Sequence, residues 1–164
     1  LYFFQISGHL KIFELLFNQM EEKNPVNDML NQTPLHTAAD KGHLQICKII
    51  VKKLKPKERN TKDIIGRTPQ HFAAKNGFLA ILKLLFDRKG DQHPVDNSGR
   101  TPLHVAAENG HLDVYRWIFK NVQEKYPLDK IGKTPIQVAK ESDKCSKKMY
   151  EEFIAMRNLD QLAK

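Results

Sequence analysis

The chain has 164 residues, 40% hydrophobic and 28% charged, enough for one ordinary domain or a short repeat array. That excludes a disordered chain and a multidomain enzyme. Twenty-seven Lys and Arg against 19 Asp and Glu leave a net charge of +8, which permits an acidic protein, nucleic acid or anionic membrane surface without selecting among them.

Only two cysteines occur, Cys47 and Cys145, without Cys-x-x-Cys spacing. A disulfide scaffold and a Cys-rich zinc site are excluded, and an intracellular setting, cytoplasmic or nuclear, is expected. No apolar run reaches the ~18 residues of a membrane span, so no membrane insertion is expected. Residues 1–17 are rich in aromatics, but Gln5, Ser7, His9, Lys11 and Glu14 interrupt them too often for a secretory leader. The chain opens on Leu1 rather than Met, which points to a fragment. Leu1-Tyr2-Phe3-Phe4-Gln5-Ile6-Ser7 is also similar to a protease-cleavage tag with two insertions, and a tag remnant is the lesser of two readings for some of residues 1–7.

Self-similarity organises the rest. Thr33-Pro34-Leu35-His36 recurs as Thr68-Pro69-Gln70-His71, Thr101-Pro102-Leu103-His104 and, weakly, Thr134-Pro135-Ile136-Gln137, at spacings of 35, 33 and 33 residues. Nine residues after the first three threonines stand Gly42, Gly77 and Gly110, and Gly8 fits the same column. Five residues before each threonine is an aspartate: Asp28, Asp63, Asp96 and Asp129.

Each column has a physical reason. Thr then Pro starts a helix, with a capping side chain and Pro at the first position, where no N–H is missed. Leu35, Ala38 and Ala39 share one face, as do Leu103, Ala106 and Ala107, and paired alanines allow close helix approach. The glycine ends the helix in a left-handed conformation. A second helix follows at once, with apolar columns Ile12/Ile46/Ile81/Val114, Leu15/Ile49/Leu84/Trp117, Leu16/Ile50/Leu85/Ile118 and Phe17/Val51/Phe86/Phe119. Its polar column is Glu14/Lys48/Lys83/Arg116. Gly66, Gly99 and Gly132 sit two residues before Thr, and Asn31, tolerant of positive φ, takes that place in the other unit.

Thr-Pro-Leu-His-x-Ala-Ala-x-x-Gly-His-Leu, met in full at residues 33–44 and 101–112, resembles the ankyrin repeat, and the likeness covers roughly residues 8–142. The resemblance implies an all-α repeat solenoid, an ankyrin-type stack of helix-turn-helix units with β-hairpin fingers, the fingers and first helices lining a concave side. One array spans 1–164: a partial first repeat over 1–27, full repeats over 28–62, 63–95 and 96–128, and a capping repeat with its helix over 129–164. Asn24-Pro25-Val26, His93-Pro94-Val95 and Tyr126-Pro127-Leu128 replace the usual stretch after the second helix, which reads as a longer second helix and a Pro-stiffened return. The last unit carries Lys140 for the second Ala and Asp143 for Gly; beyond it, Met149, Phe153, Met156 and Leu159 are spaced for one face of a capping helix. In the partial repeat that precedes the four Thr-Pro units, Phe4 and Gln5 stand where the alanines would be.

Chemistry is mostly missing. His36, His71, His104, His43 and His111 fall in repeat columns, spread along the stack rather than converging, so they read as bridges between backbone groups and not as ligands. His9 shares the Gly-His-Leu column, and His93 is a loop residue. No His-Glu-x-x-His, phosphate-binding glycine loop or Gly-x-Ser-x-Gly occurs, so neither an enzyme nor a cofactor or metal is expected. The aspartates read as turn acceptors, Cys47 as a partly buried small hydrophobe, Cys145 as exposed, and Trp117 as core. Lys52, Lys53, Lys55, Lys57, Arg59 and Lys62 form a basic cluster, read as a solvated helix end, with an acidic-partner contact or nuclear-import signal as the sharper alternatives.

One feature rises above scaffold. The fingertips hold Met29-Leu30, Ile64-Ile65, Asn97-Ser98 and Lys130-Ile131, where polar residues would suit solvated turns. In the resembled family these positions are variable and face the binding groove. Exposed aliphatic pairs on successive fingers form a contact patch; the alternative is that the tips tuck against each other. The expected function is a non-enzymatic interaction scaffold, a monomer that holds a protein partner, acidic in one version. Its contact residues are Met29, Leu30, Asp40, Lys41, Ile64, Ile65, Arg67, Lys75, Asn76, Arg100, Glu108 and Asn109. The alternatives are a nucleic-acid or nucleotide binder using the basic surface, and a structural spacer in a longer protein. Phosphate-driven binding would weaken steeply with salt, whereas an aliphatic contact would not.

Overall fold

The computed structural model describes residues 9–22, 24–27, 29–86 and 94–162; Gly8, Asp28, His93, Phe4, Gln5 and the tag-like segment lie outside them. The elements run α1 (Leu10–Gln19), α2 (Pro34–Asp40), α3 (Leu44–Lys53), a 3-10 turn (Pro56–Asn60), α4 (Pro69–Lys75), α5 (Leu79–Leu85), α6 (Pro102–Glu108), α7 (Leu112–Asn121), α8 (Pro135–Glu141) and α9 (Lys147–Leu162).

Every Thr-Pro pair starts a helix. Thr33, Thr68, Thr101 and Thr134 are N-caps in extended conformation, and Pro occupies the first turn of α2, α4, α6 and α8. Nine residues after the first three threonines the chain reverses through Gly42, Gly77 and Gly110 at φ of 74°, 74° and 70°. A side chain there would be doubly excluded, by the backbone conformation and by the next unit. A Cβ on Gly42 would meet the Phe78 ring at 2.7 Å, and one on Gly77 would meet His111 Nδ1 at 2.7 Å. The turn glycine is therefore also the seat of the next unit.

The first helices α2, α4, α6 and α8 pack side by side in chain order. Ala38, Ala39, Ala73, Ala74, Ala106 and Ala107 are fully buried at these crossings. The second helices α1, α3, α5 and α7 form the other layer and touch each other less extensively. Between the layers lie Leu35, Ile46, Cys47, Ile50, Ile81, Leu82, Leu103 and Tyr115.

Several sequence expectations change in three dimensions. On α1 only Phe13 and Phe17 are buried, while Ile12, Leu15 and Leu16 are exposed. Their columns are covered in later units by a preceding second helix, and no described residue supplies one before α1. The extra residues after the second helix do not lengthen it. The α3 helix stops at Lys53, and the lead-in coils as the 3-10 turn, with Leu54 buried. On α9, Phe153 is the buried anchor, 4.3 Å from the Tyr115 ring, whereas Leu159 is exposed. The docking face runs through Tyr150, Phe153, Ile154 and Met156 to Asp160, which pairs with Lys125 and accepts from Tyr126 Oη at 3.0 Å. A 16-residue helix keeps one straight face against α7, so the last turn is chosen by this polar latch rather than by leucine spacing. Cys145 is half-buried rather than exposed, and its thiol is pushed up by burial.

The fingers are tight turns, with no strand among the described residues. Asp63 N–H donates to Arg67 O at 2.9 Å and Gly66 N–H to Asp63 O at 2.9 Å, and the same pattern recurs at Asp96 and Asp129. The aspartate side chain takes the remaining amides: Asp63 Oδ1 accepts from Ile65 and Arg67 N–H at 3.1 and 2.8 Å. Asp96 and Asp129 repeat this. Amides satisfied inside the turn are not free for a strand ladder, and the β-hairpins that the resemblance implies are not confirmed.

Ala106→Leu should cost about 1–3 kcal/mol by overpacking a helix crossing. Chemical denaturation of the two forms measures it, and unchanged stability would contradict the close approach of α4, α6 and α8.

Candidate functional site

The groove is built from three columns and stitched by one repeated bond. Thr33 N–H donates to His36 Nδ1 at 3.0 Å, and the imidazole's Nε2 meets Arg67 O, in the next finger, at 3.1 Å. His71 repeats the bridge from Thr68 to Arg100 O at 2.9 Å, and His104 from Thr101 to Lys133 O at 3.0 Å. An N–H facing Nδ1 requires a lone pair there, so the proton sits on Nε2 and is donated to the carbonyl. Burial pushes His36 and His71 down to about 4 and lowers His104 as well, because a charged ring would be desolvated. Both ring nitrogens are occupied, as the bridging reading expects, and neither is available to a metal. Among the described residues no cluster of His, Cys, Asp and Glu converges on an ion.

With each finger base anchored, the tips line up. Ile64 N–H donates to Leu30 O at 3.0 Å, Asn97 N–H to Ile65 O at 2.9 Å and Lys130 N–H to Ser98 O at 2.9 Å. One backbone bond thus joins each tip to the next. Side chains stay outside this row: Met29 is 85% exposed, Ile64 61% and Ile131 74%, with Leu30 and Ile65 also exposed. The tips do not tuck against one another. They form one ridge.

Below the ridge the columns are a finger base (Gln32, Arg67, Arg100, Lys133), a floor on the first helix (Thr37, Phe72, Val105, Val138) and a far rim at that helix's end (Asp40, Lys75, Glu108, Glu141). Arg100 Nη2 stands 2.6 Å from Glu108 Oε2, off the N–H axis, so the contact is ionic rather than a hydrogen bond. Lys133 pairs likewise with Glu141. Arg67 turns to Asp63 instead, Nη2 to Oδ2 at 2.8 Å, and lies 4.4 Å above the Phe72 ring. Asp40 pairs with Lys41 at 3.5 Å and accepts from Asn76 Nδ2 at 3.1 Å. Asn76 and Asn109 also donate to their own helices, at Phe72 O and Val105 O, and Lys144 Nζ reaches Asn109 Oδ1 at 3.0 Å. These two asparagines tie units together, a role that repeat spacing did not reveal.

The most enclosed part of the groove is a cleft of about 500 Å³ between the last two fingers and α6 and α8, whose walls include Arg100, Glu108, Lys130, Ile131, Val138 and Glu141. Sequence reasoning stopped at Glu108 and Asn109. The fourth unit's Thr134-Pro135-Ile136-Gln137 looked degenerate, yet Lys133, Val138 and Glu141 stand in the same columns as their counterparts and were legible by offset.

The basic cluster divides. Lys52, Lys53, Lys55 and Lys57 are exposed, but Arg59 donates to Val51 O and Leu54 O at 2.9 and 3.2 Å and caps α3. Lys62 Nζ donates to Val95 O at 2.9 Å. Cys47 is fully buried and its thiol is pushed up to about 12 by burial, the inert hydrophobe expected. Trp117 is half-buried, packed edge-on against Phe86 at 4.9 Å.

A family model for ankyrin repeats, described as three copies, matches residues 1–60 and 50–129, and the chain belongs to the ankyrin-repeat family. None of the curated proteins matches it. Ankyrin repeats generally mediate protein–protein interaction, and the family is typically non-enzymatic.

The histidine bridges make stability depend on pH. Unfolded imidazoles take a proton near 6.5 and the folded ones of His36 and His71 only near 4, so the unfolded chain binds more protons between those values. Stability is complete above about pH 6.5 and should fall by on the order of 3 kcal/mol per histidine as the pH drops to about 4. Urea midpoints across this range measure the slope. His71→Gln, which keeps an acceptor for the Thr68 amide as Gln137 does for Thr134 at 2.8 Å, should flatten it.

Proposed function

We propose that this array is a non-enzymatic interaction scaffold, a monomer that grips a protein segment along its groove and finger ridge. The observation that carries the reading is the unbroken row of exposed aliphatic tips, Met29, Leu30, Ile64 and Ile65, held in register by finger-to-finger backbone bonds. Ordered apolar surface of this kind gains from desolvation without first losing conformational entropy. Asp40, Lys41, Arg67, Lys75, Arg100 and Glu108 supply the polar border, and the 500 Å³ cleft extends the surface beyond the third unit. Two unpaired cysteines support an intracellular setting, cytoplasmic or nuclear.

Replacing Ile64 and Ile65 together with Ser should leave helical content unchanged, since neither side chain is buried. It should weaken a partner's binding by roughly 2 kcal/mol or more, the scale of an interface anchor. Lys53, Lys55 and Lys57 changed to Gln serve as the control on the second-helix side. Affinities measured calorimetrically with a partner captured by the wild-type protein decide the matter. Loss of binding in the lysine variant alone, with steep salt dependence, would move the site to the basic surface and favour a phosphate-bearing ligand.

A further inference from the structure

The last three units do not neutralise the groove in the same way. In the third and fourth units the finger-base cation is closed onto a carboxylate at the end of the same unit's first helix, Arg100 on Glu108 and Lys133 on Glu141. In the second unit that rim position is Lys75. No such pair can form, so Arg67 folds back onto Asp63 and covers the Phe72 ring. Lys75 is left exposed with no ion-pair partner among the described residues. The carboxylates on either side of it along the rim are engaged, Asp40 by Lys41 and Asn76, and Glu108 by Arg100.

This unneutralised ammonium shares its unit with the Ile64-Ile65 tip, the apolar pair at the middle of the ridge. The third unit reverses both features, with a closed ion pair below and the polar tip Asn97-Ser98 above. We infer that the second unit is the anchor of the groove and takes an extended acidic segment, one aliphatic side chain on Ile64 and Ile65 and one carboxylate on Lys75. The inference rests on the groove reading above and adds the partner's chemistry to it. The α4 helix has seven residues and spans about 10 Å, and the finger adds a comparable reach, so the two partner residues stand about six apart along an extended chain, at about 3.3 Å per residue. A carboxylate here replaces the one that Glu108 and Glu141 supply from within their own units. The partner completes the pattern that the second unit lacks.

A random dodecapeptide library displayed on phage, selected on the wild-type protein, supplies the probe. Selected peptides should carry Asp or Glu about six residues from Leu, Ile, Val or Met. By fluorescence anisotropy they should bind Lys75→Glu about 10-fold more weakly, Lys75→Gln less so, with the loss shrinking at high salt. Lys53→Glu, the same charge change on the second-helix side, should not weaken them. The melting temperature of Lys75→Glu should not fall, because Arg67 gains the carboxylate that Arg100 already has. Peptides without acidic bias, or equal affinity for Lys75→Glu and wild type, overturn the inference. If such peptides still lose affinity with Ile64→Ser/Ile65→Ser, the groove reading survives alone. If they bind that variant unchanged, the groove reading falls as well.

Discussion

The imidazole of Thr-Pro-x-His holds one unit to the next. Its Nδ1 accepts the N-cap amide of its own helix, and its Nε2 donates to the carbonyl at the base of the following finger. A neutral ring with one donor and one acceptor on opposite sides suits this task, and burial keeps it neutral. Because the carbonyl belongs to Arg67, Arg100 or Lys133, the bridge fixes the backbone of the residues that carry the groove's cations. Finger, groove wall and helix start are thus one mechanical unit, repeated about every 33 residues.

That rigidity separates what varies from what holds. Asp63, Asp96 and Asp129 spend their Oδ1 on turn amides, so these turns hold without the aliphatic tip side chains, while Asn97 Nδ2 adds a bond to Ile64 O. Isoleucine, asparagine, serine or lysine can occupy the same backbone with little structural consequence. The aliphatic tips, exposed as they are, then carry little of the stability. The same holds for the helix-end rim, where Asp40, Lys75, Glu108 and Glu141 share a position and differ in charge. Charge placed there either closes an internal pair or remains for a partner.

The basic balance of the chain illustrates how structure redistributes a sequence property. Arg59 and Lys62 belong to a six-cation cluster, yet both donate to backbone carbonyls, one capping α3 and one joining neighbouring loops. Arg116 pairs with Glu152 of α9 at 3.3 Å, and Lys125 with Asp160. Cations that look interchangeable along the chain serve different ends once their neighbours are known.

The repeat columns alone determined the helices, their Thr-Pro starts and glycine turns, the buried alanine pairs, the turn role of the aspartates and the bridging role of the histidines. Each follows from local bonding or from a period that returns the same residue to the same neighbour, so one unit's chemistry is every unit's chemistry. Where the period has no neighbour to act on, the reading lost its warrant. Ile12, Leu15 and Leu16 hold core columns on α1 but lie exposed, because burial belongs to the adjacent helix and not to the column. Leu159 keeps its spacing on α9 but not its contact, since Asp160 is drawn to Lys125 and Tyr126, 34 or 35 residues away. The fingers became turns because Asp side chains consumed the amides a strand needs. Which cations are paired, and that Lys75 is not, was decided only by the tertiary structure: an ion pair is a distance between side chains, and a sequence column specifies a position but no distance.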